Sequence, residues 1–511
     1  MQLTRSLTYA LLGCSTLAQA THPVERASCQ RNSTVSENCQ QACASLSNSF
    51  RPAGAFHYPD DDDTFAIWDA KQQEVRPACR VEPSTASDVS QIINTLVSNW
   101  CPFAVKGGGH SRNPGDSNSI GGVTVDLDRM ASVEILGGDG NKTAARVGGG
   151  ANTYQVYAAL DAHNLSFVGG RVGTVGMGGF TLGGGTSPFS NRYGWALDNV
   201  YEYEIVLSNG TIVSASESHN PDLYFALRGG GNNFGIVTAF TVRTFPQGAV
   251  STTSTTYASN YTEQVLDRIY DLFADEELAS DADMGYDLYY SYSAAQDSFT
   301  LSGTQRYARP IQNPPVFSSI NQIPALTRSN RISNMSSQTQ GSEALGTTRH
   351  LFATLTVSPS RSFLSQAVRI FEEEVRAISS VEGLVPNLVS YALPRNAIAA
   401  MKQKGGNALG IESDGPLQLI LISTAWSSAS GDALVNTMTE NTIARLREAA
   451  EGLGIANRFL YINYASAQQA PDVFAGYGEE NAQRLKEIQR AVDPTGVFTS
   501  KGLWTGFVKL L

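Results

Sequence analysis

The pattern of apolar and polar positions changes near Pro246, and this change divides the chain into two parts. Over residues 76–246, short apolar runs such as FAV at 103–105 end in clusters of glycine, which predicts buried strands that lead into tight loops. A helix capped by Ser87 or Asp88 is predicted next to them, because apolar positions three and four apart over 89–96 fall on one face.

The same kinds of pattern predict the other elements of this first part. The triplet Ser208-Asn209-Gly210 separates two alternating segments and predicts a hairpin turn. The predicted strands are 122–127, 144–147, 199–207, 211–215 and 236–246, and the predicted helices are 154–163 and 223–227.

Beyond Pro246 the pattern changes. Ser, Thr and Tyr alternate over 250–262, which is typical of a sheet with one solvated face. Residues 21–75 and 308–349 are predicted to be irregular. Further strands are predicted at 351–357 and 417–424, and helices at 265–273, 363–378 and 481–492. The fold class is therefore α+β, with a second domain at 247–455 made of an antiparallel sheet backed by helices, and a segment at 456–511 that returns to the first domain.

Length and charge narrow the class of protein. A chain of 511 residues exceeds one ordinary core, which favours two domains. The net charge of −11 argues against nucleic acid and against an anionic membrane as partners, because both require a basic surface. We expect a monomer that acts on a small molecule.

The N-terminus is typical of a secretory signal at 1–20. Arg5 precedes a short apolar segment, and Ala18-Gln19-Ala20 matches a cleavage site. Six Asn-x-Ser/Thr triplets support a secreted protein, at Asn32, Asn141, Asn164, Asn209, Asn260 and Asn334. No later stretch is apolar enough to span a bilayer, so we expect no membrane partner.

The cysteines cluster in the first fifth of the chain. After removal of a signal, Cys29, Cys39, Cys43, Cys79 and Cys101 remain, which indicates a disulfide-containing segment at 21–75 in an oxidising compartment. We predict a bond between Cys79 and Cys101, because both flank one predicted strand-helix unit. The odd number leaves at least one cysteine free or paired elsewhere. A zinc site at Cys39 and Cys43 is the alternative, but no further pair completes it, and no metal is predicted.

Three glycine blocks indicate a nucleotide pocket, at 107–109, 169–185 and 229–235. A pyrophosphate must lie against backbone N–H groups, and glycine permits that approach. A Rossmann motif is disfavoured because Pro114 and Gly115 prevent a helix from starting, and a P-loop is excluded because no Gly-Lys-Ser/Thr follows. Tight turns in a β-rich domain remain the structural alternative. His110, directly after the first block, is on this evidence either a ligand-binding residue or an ordinary loop residue.

These residues resemble a known family. The motifs are VKGGGH at 105–110, VGMGG at 175–179, LDNV at 197–200 and GGGNNFGIV at 229–237, with YINY at 461–464 and YGEEN at 477–481 near the C-terminus. They resemble the vanillyl-alcohol oxidase and p-cresol methylhydroxylase superfamily, in its berberine-bridge-enzyme-like branch of fungal secreted type. The resemblance covers 76–246 and 456–500. It implies a two-subdomain flavin-binding domain of the PCMH type at 76–246 and a substrate domain at 247–455.

The resemblance also implies roles for single residues. His110 would bond covalently to the methyl group on the benzenoid ring of FAD. The other cofactor-binding residues would be Gly107, Gly108, Gly109, Ser111, Gly173, Thr174, Gly178, Gly179, Gly183 and Ile236. Some relatives add a second bond through a cysteine, but Val172 occupies that position, so a single link is expected. Phe180 and Thr186 also depart from the relatives, and Val175 stands where oxidases leave oxygen access to the flavin.

Flavin oxidation transfers a hydride to the flavin and a proton to a base. Tyr461 and Tyr464 are the candidate bases, with Asn463 as an orienting residue. A phenol titrates near pH ~10, so such a base requires a neighbouring positive charge or the flavin's own field. Glu412 is a weaker candidate base on the second domain, and Gln418 is a candidate lining residue.

The resulting prediction is a covalent-FAD oxidase acting on an alcohol, amine or allylic carbon of a small metabolite, with O₂ as acceptor and H₂O₂ as product. A secreted carbohydrate oxidase is the alternative, and a non-enzymatic flavoprotein is disfavoured by the intact motifs.

Overall fold

Three β-sheets organise the protein in a computed structural model that describes residues 35–137, 144–341 and 345–510. The predicted signal at 1–20, Cys29 and the triplets at Asn32 and Asn141 lie outside the described residues. The remaining triplets begin at exposed asparagines, at 164, 209, 260 and 334. Among the described residues, no helix combines the length and apolarity needed to cross a membrane.

The first sheet carries the glycine loop that precedes His110. Its order is β1 (Phe56–His57), β2 (Cys79–Val81), β4 (Val123–Asp126) and β3 (Phe103–Lys106). Strands β2 and β3 both run parallel to β4. The glycines at 107–109 directly follow β3, so this sheet holds one end of their loop.

Helix α3 (Ala86–Asn99) connects β2 to β3 and forms as its sequence predicts. Thr85 caps it, not the predicted Ser87 or Asp88. The Thr85 hydroxyl accepts from the N–H of Asp88, whose carboxylate accepts from the N–H of Thr85. The stripe of Val89, Ile92, Ile93 and Leu96 is fully buried in the core of this sheet.

The predicted bond between Cys79 and Cys101 is wrong. The structure joins Cys39 to Cys101 and Cys43 to Cys79, with Cα atoms 4.9 and 6.0 Å apart. Strand β4 lies between β2 and β3, so the starts of those strands are about two strand spacings apart, beyond the reach of a disulfide. All four sulfurs are bonded, which excludes the zinc alternative.

The two bonds come from a helix that the sequence analysis missed. Helix α1 (Glu37–Phe50) lies within the stretch predicted to be irregular and packs against α3. Cys39 and Cys43 are one turn apart on its buried face, so each meets a different strand. Its buried positions include the small residue Ala42 and the two cysteines, and the segment contains many polar residues, which masks its helical period.

The second sheet is antiparallel, and the other two glycine blocks follow its elements. Its order is β5 (Val133–Leu136), β6 (Ala144–Gly148), β10 (Ile236–Pro246), β8 (Val200–Val206) and β9 (Ile212–Ser216), and β7 (Leu165–Phe167) also pairs with β10. The hairpin predicted around Ser208-Asn209-Gly210 is confirmed. Its helices are α4 (Thr153–Asp161), α5 (Met177–Leu182), α6 (Ser190–Tyr193) and α7 (Pro221–Leu227), and α2 (Ala70–Gln73) precedes β2.

The third sheet is antiparallel throughout, which confirms the predicted fold class. In spatial order it contains β14 (Ala325–Ser333), β11 (Val250–Tyr257), β13 (Ser298–Tyr307), β12 (Met284–Ser293), β16 (Val385–Leu393), β17 (Leu417–Trp426), β15 (Arg349–Val357) and β18 (Ala456–Asn457). Helices α8 (Thr262–Ala274), α12 (Arg361–Arg376) and α14 (Asp432–Gly452) bury apolar residues against one face. The shorter helices of this part are α9 (Glu276–Ala279), α10 (Ser318–Asn321), α11 (Met335–Thr339) and α13 (Arg395–Ala400).

The prediction of a loop over 308–349 is wrong, because β14, α10 and α11 fall within it. Strand β14 is the edge of the third sheet and is exposed on both faces over most of its length. Its residues are therefore mainly polar and lack the alternation by which a half-buried strand is recognised.

The C-terminal part returns to the first two sheets. Helix α15 (Glu479–Val492) packs against α7, and Trp504 forms a β-bridge with Phe103. The segment at 459–464 joins the core of the second sheet. This return brings the YINY motif to the glycine loops.

Candidate active site

A cavity of about 530 Å³ lies between the glycine loops and the open face of the third sheet. Most of the predicted site residues line it: Gly107, Gly108, Gly109, His110, Ser111, Gly178, Gly179, Gly183, Ile236, Tyr461, Asn463 and Tyr464. Gly173 and Thr174 stand beside the wall. The Gly173 carbonyl accepts from the N–H of Tyr154, and the Thr174 hydroxyl lies 3.2 Å from Nε2 of His110.

The glycine loops touch each other through their backbones. A Cβ at Gly108 would lie 2.3 Å from the backbone nitrogen of Gly176, so no side chain fits there. Gly109 adopts φ +65°, a left-handed conformation that glycine enters at little cost. By contrast, a Cβ at Gly179 would meet no atom within 4 Å, so this backbone faces open space in the cavity. A ligand can therefore approach the main chain closely, as FAD requires.

Charge in the wall also suits a cofactor that carries phosphates. The Arg112 guanidinium is buried, donates to the carbonyl of Ala465 at 2.7 Å and lies over the Phe352 ring. Burial lowers the pKa of Arg112 to about 10, although Asp116 opposes the shift, so the group stays cationic at neutral pH. Its Nε atom has no hydrogen-bond partner among the described residues. The cavity and its glycine loops thus fit FAD.

Gly183 lines the cavity and also leaves room for a neighbouring side chain. A Cβ there would lie 2.1 Å from Oδ1 of Asn463, so glycine at this position admits the Asn463 amide. That amide donates to the carbonyl of Phe180 at 3.0 Å and to the hydroxyl of Tyr461 at 2.9 Å. Both donor hydrogens of Asn463 are therefore used within the protein.

Tyr461 and Tyr464 occupy different environments, although they belong to one motif. The Tyr461 hydroxyl accepts from the N–H of Gly185 at 2.9 Å and from Asn463, and its ring packs against Trp195. Burial raises the pKa of Tyr461, which disfavours its loss of a proton. Tyr464 is half-buried and accepts a hydrogen bond from Nη2 of Arg171 at 3.0 Å.

Arg171 supplies the positive charge that a tyrosine base requires. Its Nη2 atom also donates to the hydroxyl of Thr186 at 3.2 Å, and its guanidinium lies over the ring of Tyr391. Burial alone would lower the pKa of Arg171, but the carboxylate of Asp287 and the nearby Tyr464, Tyr391 and Tyr289 together raise it well above its ordinary value. Arg171 is therefore a permanent cation beside the hydroxyl of Tyr464.

The wall opposite the glycines consists of side chains that the sequence analysis did not identify. Strands β16 and β17 each turn alternate residues into the cavity, and β12, β13 and β15 contribute one residue each. The third sheet contributes Tyr289, Arg306, Phe352, Asn387, Val389, Tyr391, Leu421 and Ser423. Their alternation within 385–393 could have indicated a strand, but nothing in the pattern indicates which face meets a ligand.

Neither the lining candidate Gln418 nor the weaker base candidate Glu412 faces the cavity. Gln418 is fully buried in β17, where its amide donates to the hydroxyl of Ser390 at 2.6 Å. Glu412 lies in the loop before β17 and is absent from the lining. Tyr464 is thus the candidate that combines a place in the cavity with a cationic hydrogen-bond partner.

Comparison with known proteins adds family evidence to this geometry. A family model described as an FAD binding domain matches residues 77–216. The FAD-dependent monooxygenase tpcD of Cochliobolus heterostrophus is 35% identical over 495 residues, covering 91% of this chain and 93% of that protein. The bifunctional solanapyrone synthase of Alternaria solani is 29% identical over 466 residues, covering 89% and 87%.

Solved structures agree on the fold. The glucooligosaccharide oxidase of Acremonium strictum superposes with a TM-score of 0.74 at 20% identity, covering 94% of this chain and 100% of that one. The 6-hydroxy-D-nicotine oxidase of Arthrobacter nicotinovorans gives 0.70 at 20%, covering 87% and 96%. At this identity the likeness shows the fold alone.

The predicted family and the predicted enzyme class are both confirmed. The FAD-binding match lies on the two glycine-bearing sheets, and the full-length relatives include the third sheet. The chain therefore belongs to the FAD-linked oxidoreductases of the vanillyl-alcohol oxidase and p-cresol methylhydroxylase superfamily, and its fold is also that of berberine-bridge-enzyme-like proteins of known structure.

Proposed function

We propose that this enzyme is an oxidase with one covalently bound FAD, which oxidises an alcohol, amine or allylic carbon of a small aromatic or apolar metabolite. The observation that carries the proposal is the Tyr464 hydroxyl, held by Arg171 in the same cavity that His110 and the glycines line. FAD would accept the hydride and pass two electrons to O₂, which gives H₂O₂.

The residues of the chain divide the remaining work. Tyr464 takes the proton that leaves the substrate's hydroxyl or amine nitrogen. To do so, the Tyr464 hydroxyl must first give up its own proton, and the positive charge of Arg171 stabilises the phenolate oxygen that remains. Asn463 and Tyr461 hold the backbone at Phe180 and Gly185. They keep the motif against the glycine loops and act as positioning residues.

The attachment of FAD is assigned to His110 alone. Val172, in the place of a second linking cysteine, lines the cavity and cannot form a thioether. We infer that Gly107–Gly109, Ser111, Gly173, Thr174, Gly178, Gly179, Gly183 and Ile236 surround the cofactor.

The wall of the third sheet favours a metabolite over a sugar. Tyr289, Phe352, Tyr391 and Leu421 present flat or apolar surfaces to the cavity. A sugar presents many hydroxyl groups, and each one that is buried requires a hydrogen-bond partner. A carbohydrate oxidase is the alternative function, because oligosaccharide oxidases have a similar fold.

Location and domain limits complete the proposal. The signal-like segment at 1–20, the two disulfides and the exposed Asn-x-Ser/Thr triplets support a secreted glycoprotein. We place the flavin domain at 76–246, the substrate domain at 247–455 and the returning segment at 456–511. We expect a monomer.

Product analysis tests the reaction. The purified enzyme is supplied with ¹⁸O₂ and with two panels, one of benzylic and allylic alcohols and amines, the other of oligosaccharides. We expect H₂O₂ in amounts equal to the oxidised metabolite, with no ¹⁸O in the product. Turnover confined to the oligosaccharides would establish the alternative, and ¹⁸O in the product would contradict an oxidase.

A further inference from the structure

Trp68 forms the centre of a three-ring stack that includes His110. Its indole lies 3.9 Å from the His110 ring and 3.7 Å from the His350 ring, measured between centroids, and is inclined by 15° to each. Trp68 is buried, and Phe352 touches it edge-on. Each face of the indole is therefore covered by one histidine.

The backbone next to Trp68 is fixed on the side of the third sheet. Asp69 is fully buried, and its carboxylate accepts from the N–H of Lys71 at 2.8 Å and from the N–H of His350 at 2.7 Å. The N–H of Ala70 donates to the carbonyl of Thr348 at 2.9 Å. Trp68 thus cannot move without disturbing the start of β15.

The same segment is also fixed to the loop that carries His110. The buried amide of Gln72 donates to the carbonyl of Ser111 at 3.2 Å, and its oxygen accepts from the N–H groups of Ser117 and Asn118. Trp68 therefore sits on a short bridge between the substrate sheet and the flavin loop. Through this bridge, the position of the Trp68 ring relative to the His110 ring is fixed from both the third sheet and the loop that carries His110.

Two contacts together define the orientation of the imidazole. The stack on Trp68 fixes the plane of the His110 ring, and the contact of Nε2 with Thr174 at 3.2 Å fixes its rotation within that plane. A nucleophile held in one orientation before its partner arrives avoids the entropy cost of finding it. The arrangement is what a histidine requires when it must attack one carbon atom.

We propose that Trp68 is a positioning residue for the covalent attachment of FAD, acting by holding the His110 ring in its reactive plane. This inference rests on the proposed link through His110. In the attachment, a ring nitrogen forms a bond to the methyl carbon of the flavin. That carbon loses one proton and the imidazole loses another. The two electrons reduce the flavin, and O₂ then takes them with two protons to give H₂O₂.

The experiment compares Trp68→Leu with Trp68→Phe in the full-length protein. Each variant is incubated with excess FAD, and the flavin that stays with the acid-precipitated chain is followed over time. The attachment rate of Trp68→Leu is expected to fall by roughly 10- to 100-fold, because a small misplacement of a reacting group has effects of that size. Trp68→Phe keeps a flat ring and should recover much of the rate.

Trp100→Leu is the matched control, because Trp100 is 52% exposed and does not line the cavity. It should attach FAD at the wild-type rate. Melting curves and the content of non-covalent flavin show whether each variant folds. If Trp68→Leu does not fold, Trp68→Met takes its place as the variant without a ring: an attachment rate well below that of Trp68→Phe supports the role, and the wild-type rate overturns it.

Two outcomes separate this inference from the proposed function. Loss of acid-stable flavin in His110→Ala, with a wild-type rate in folded Trp68→Leu, would overturn the role of Trp68 alone. Acid-stable flavin in His110→Ala would overturn the link through His110, and the role of Trp68 with it.

Discussion

The two walls of the cavity are built by different means. The cofactor wall is main chain: glycine loops whose backbones touch, as at Gly108 and Gly176. The substrate wall is side chain: alternate residues of flat strands, with Arg171 and Tyr464 at its edge. A wall of backbone accepts one ligand shape and tolerates little change. A wall of side chains can be altered residue by residue while the fold stays the same.

The largest effect is expected on the substrate wall, from Tyr464→Phe. Loss of the proton acceptor should lower kcat by ~10²- to 10⁴-fold, since general bases contribute effects of that order. The acid-stable flavin content should stay at the wild-type level, because the cofactor wall is untouched. Steady-state kinetics with a substrate found in the panels gives the measurement.

Tyr461→Phe is the matched control within the same motif. It removes an acceptor for the N–H of Gly185 and for the amide of Asn463, so stability should fall by about 1–3 kcal/mol. A loss of kcat as large as that of Tyr464→Phe, without loss of stability, would exchange the roles of the two tyrosines.

The next effect is expected on the cofactor wall, from Gly108→Ala. The added methyl group would overlap the backbone of Gly176, which must then move, at a cost of about 1–3 kcal/mol or more. We expect a lower melting temperature and little bound flavin.

Gly179→Ala adds the same methyl group where no protein atom lies within 4 Å. Its melting temperature should be unchanged or higher, because alanine is favoured over glycine within helix α5. Its flavin content should nevertheless fall, because the methyl group enters the cavity. Normal flavin content in both variants would contradict the position assigned to FAD.

The smallest effect concerns the ion pairs beside the first sheet, in which Arg80 contacts Asp62 and Glu82. Burial alone would raise the pKa values of Asp62 and Glu82, but Arg80, together with Arg129 at Glu82, lowers them below 3.8 and 4.5. A lowered carboxyl pKa stabilises the fold above its unfolded-state value, and this stabilisation is lost as the pH falls through the lower folded-state value.

Melting temperatures between pH 5 and pH 3 measure this dependence. Asp62→Asn should reduce the acid-induced drop by about 2–4 °C. Asp63→Asn, in the same acidic run but exposed, is the control and should leave the drop unchanged. An equal drop in the wild type and in Asp62→Asn would show that acid acts elsewhere.

The contrast between the walls also explains which features the sequence could predict. Each glycine block is dense and lies next to an apolar run, and His110 directly follows the first block, so they were recognisable from the chain alone. Helix α3 was equally clear, because its four apolar residues keep a regular period. The resemblance at YINY located Tyr464, although that residue lies far along the chain from the glycine loops.

Other features depend on distant contacts. Arg171 contacts Tyr464 only because the C-terminal segment that contains residues 461–464 folds back onto the glycine loops. Trp68 contacts His110 and His350 only because three segments that are distant in sequence come together. The disulfide pairing could not be predicted without the strand order, in which β4 separates β2 from β3. Strand β14 carries almost no apolar pattern because it is exposed at the edge of the sheet.

Mass analysis of the peptide that contains His110 tests the central claim most directly. The protein is precipitated with acid, digested and fragmented to find where any flavin is attached. We predict one FAD-derived mass, on His110 and on no other residue, and its absence from the His110→Ala variant. Flavin released entirely into the acid supernatant, or attached to another residue, would contradict the account.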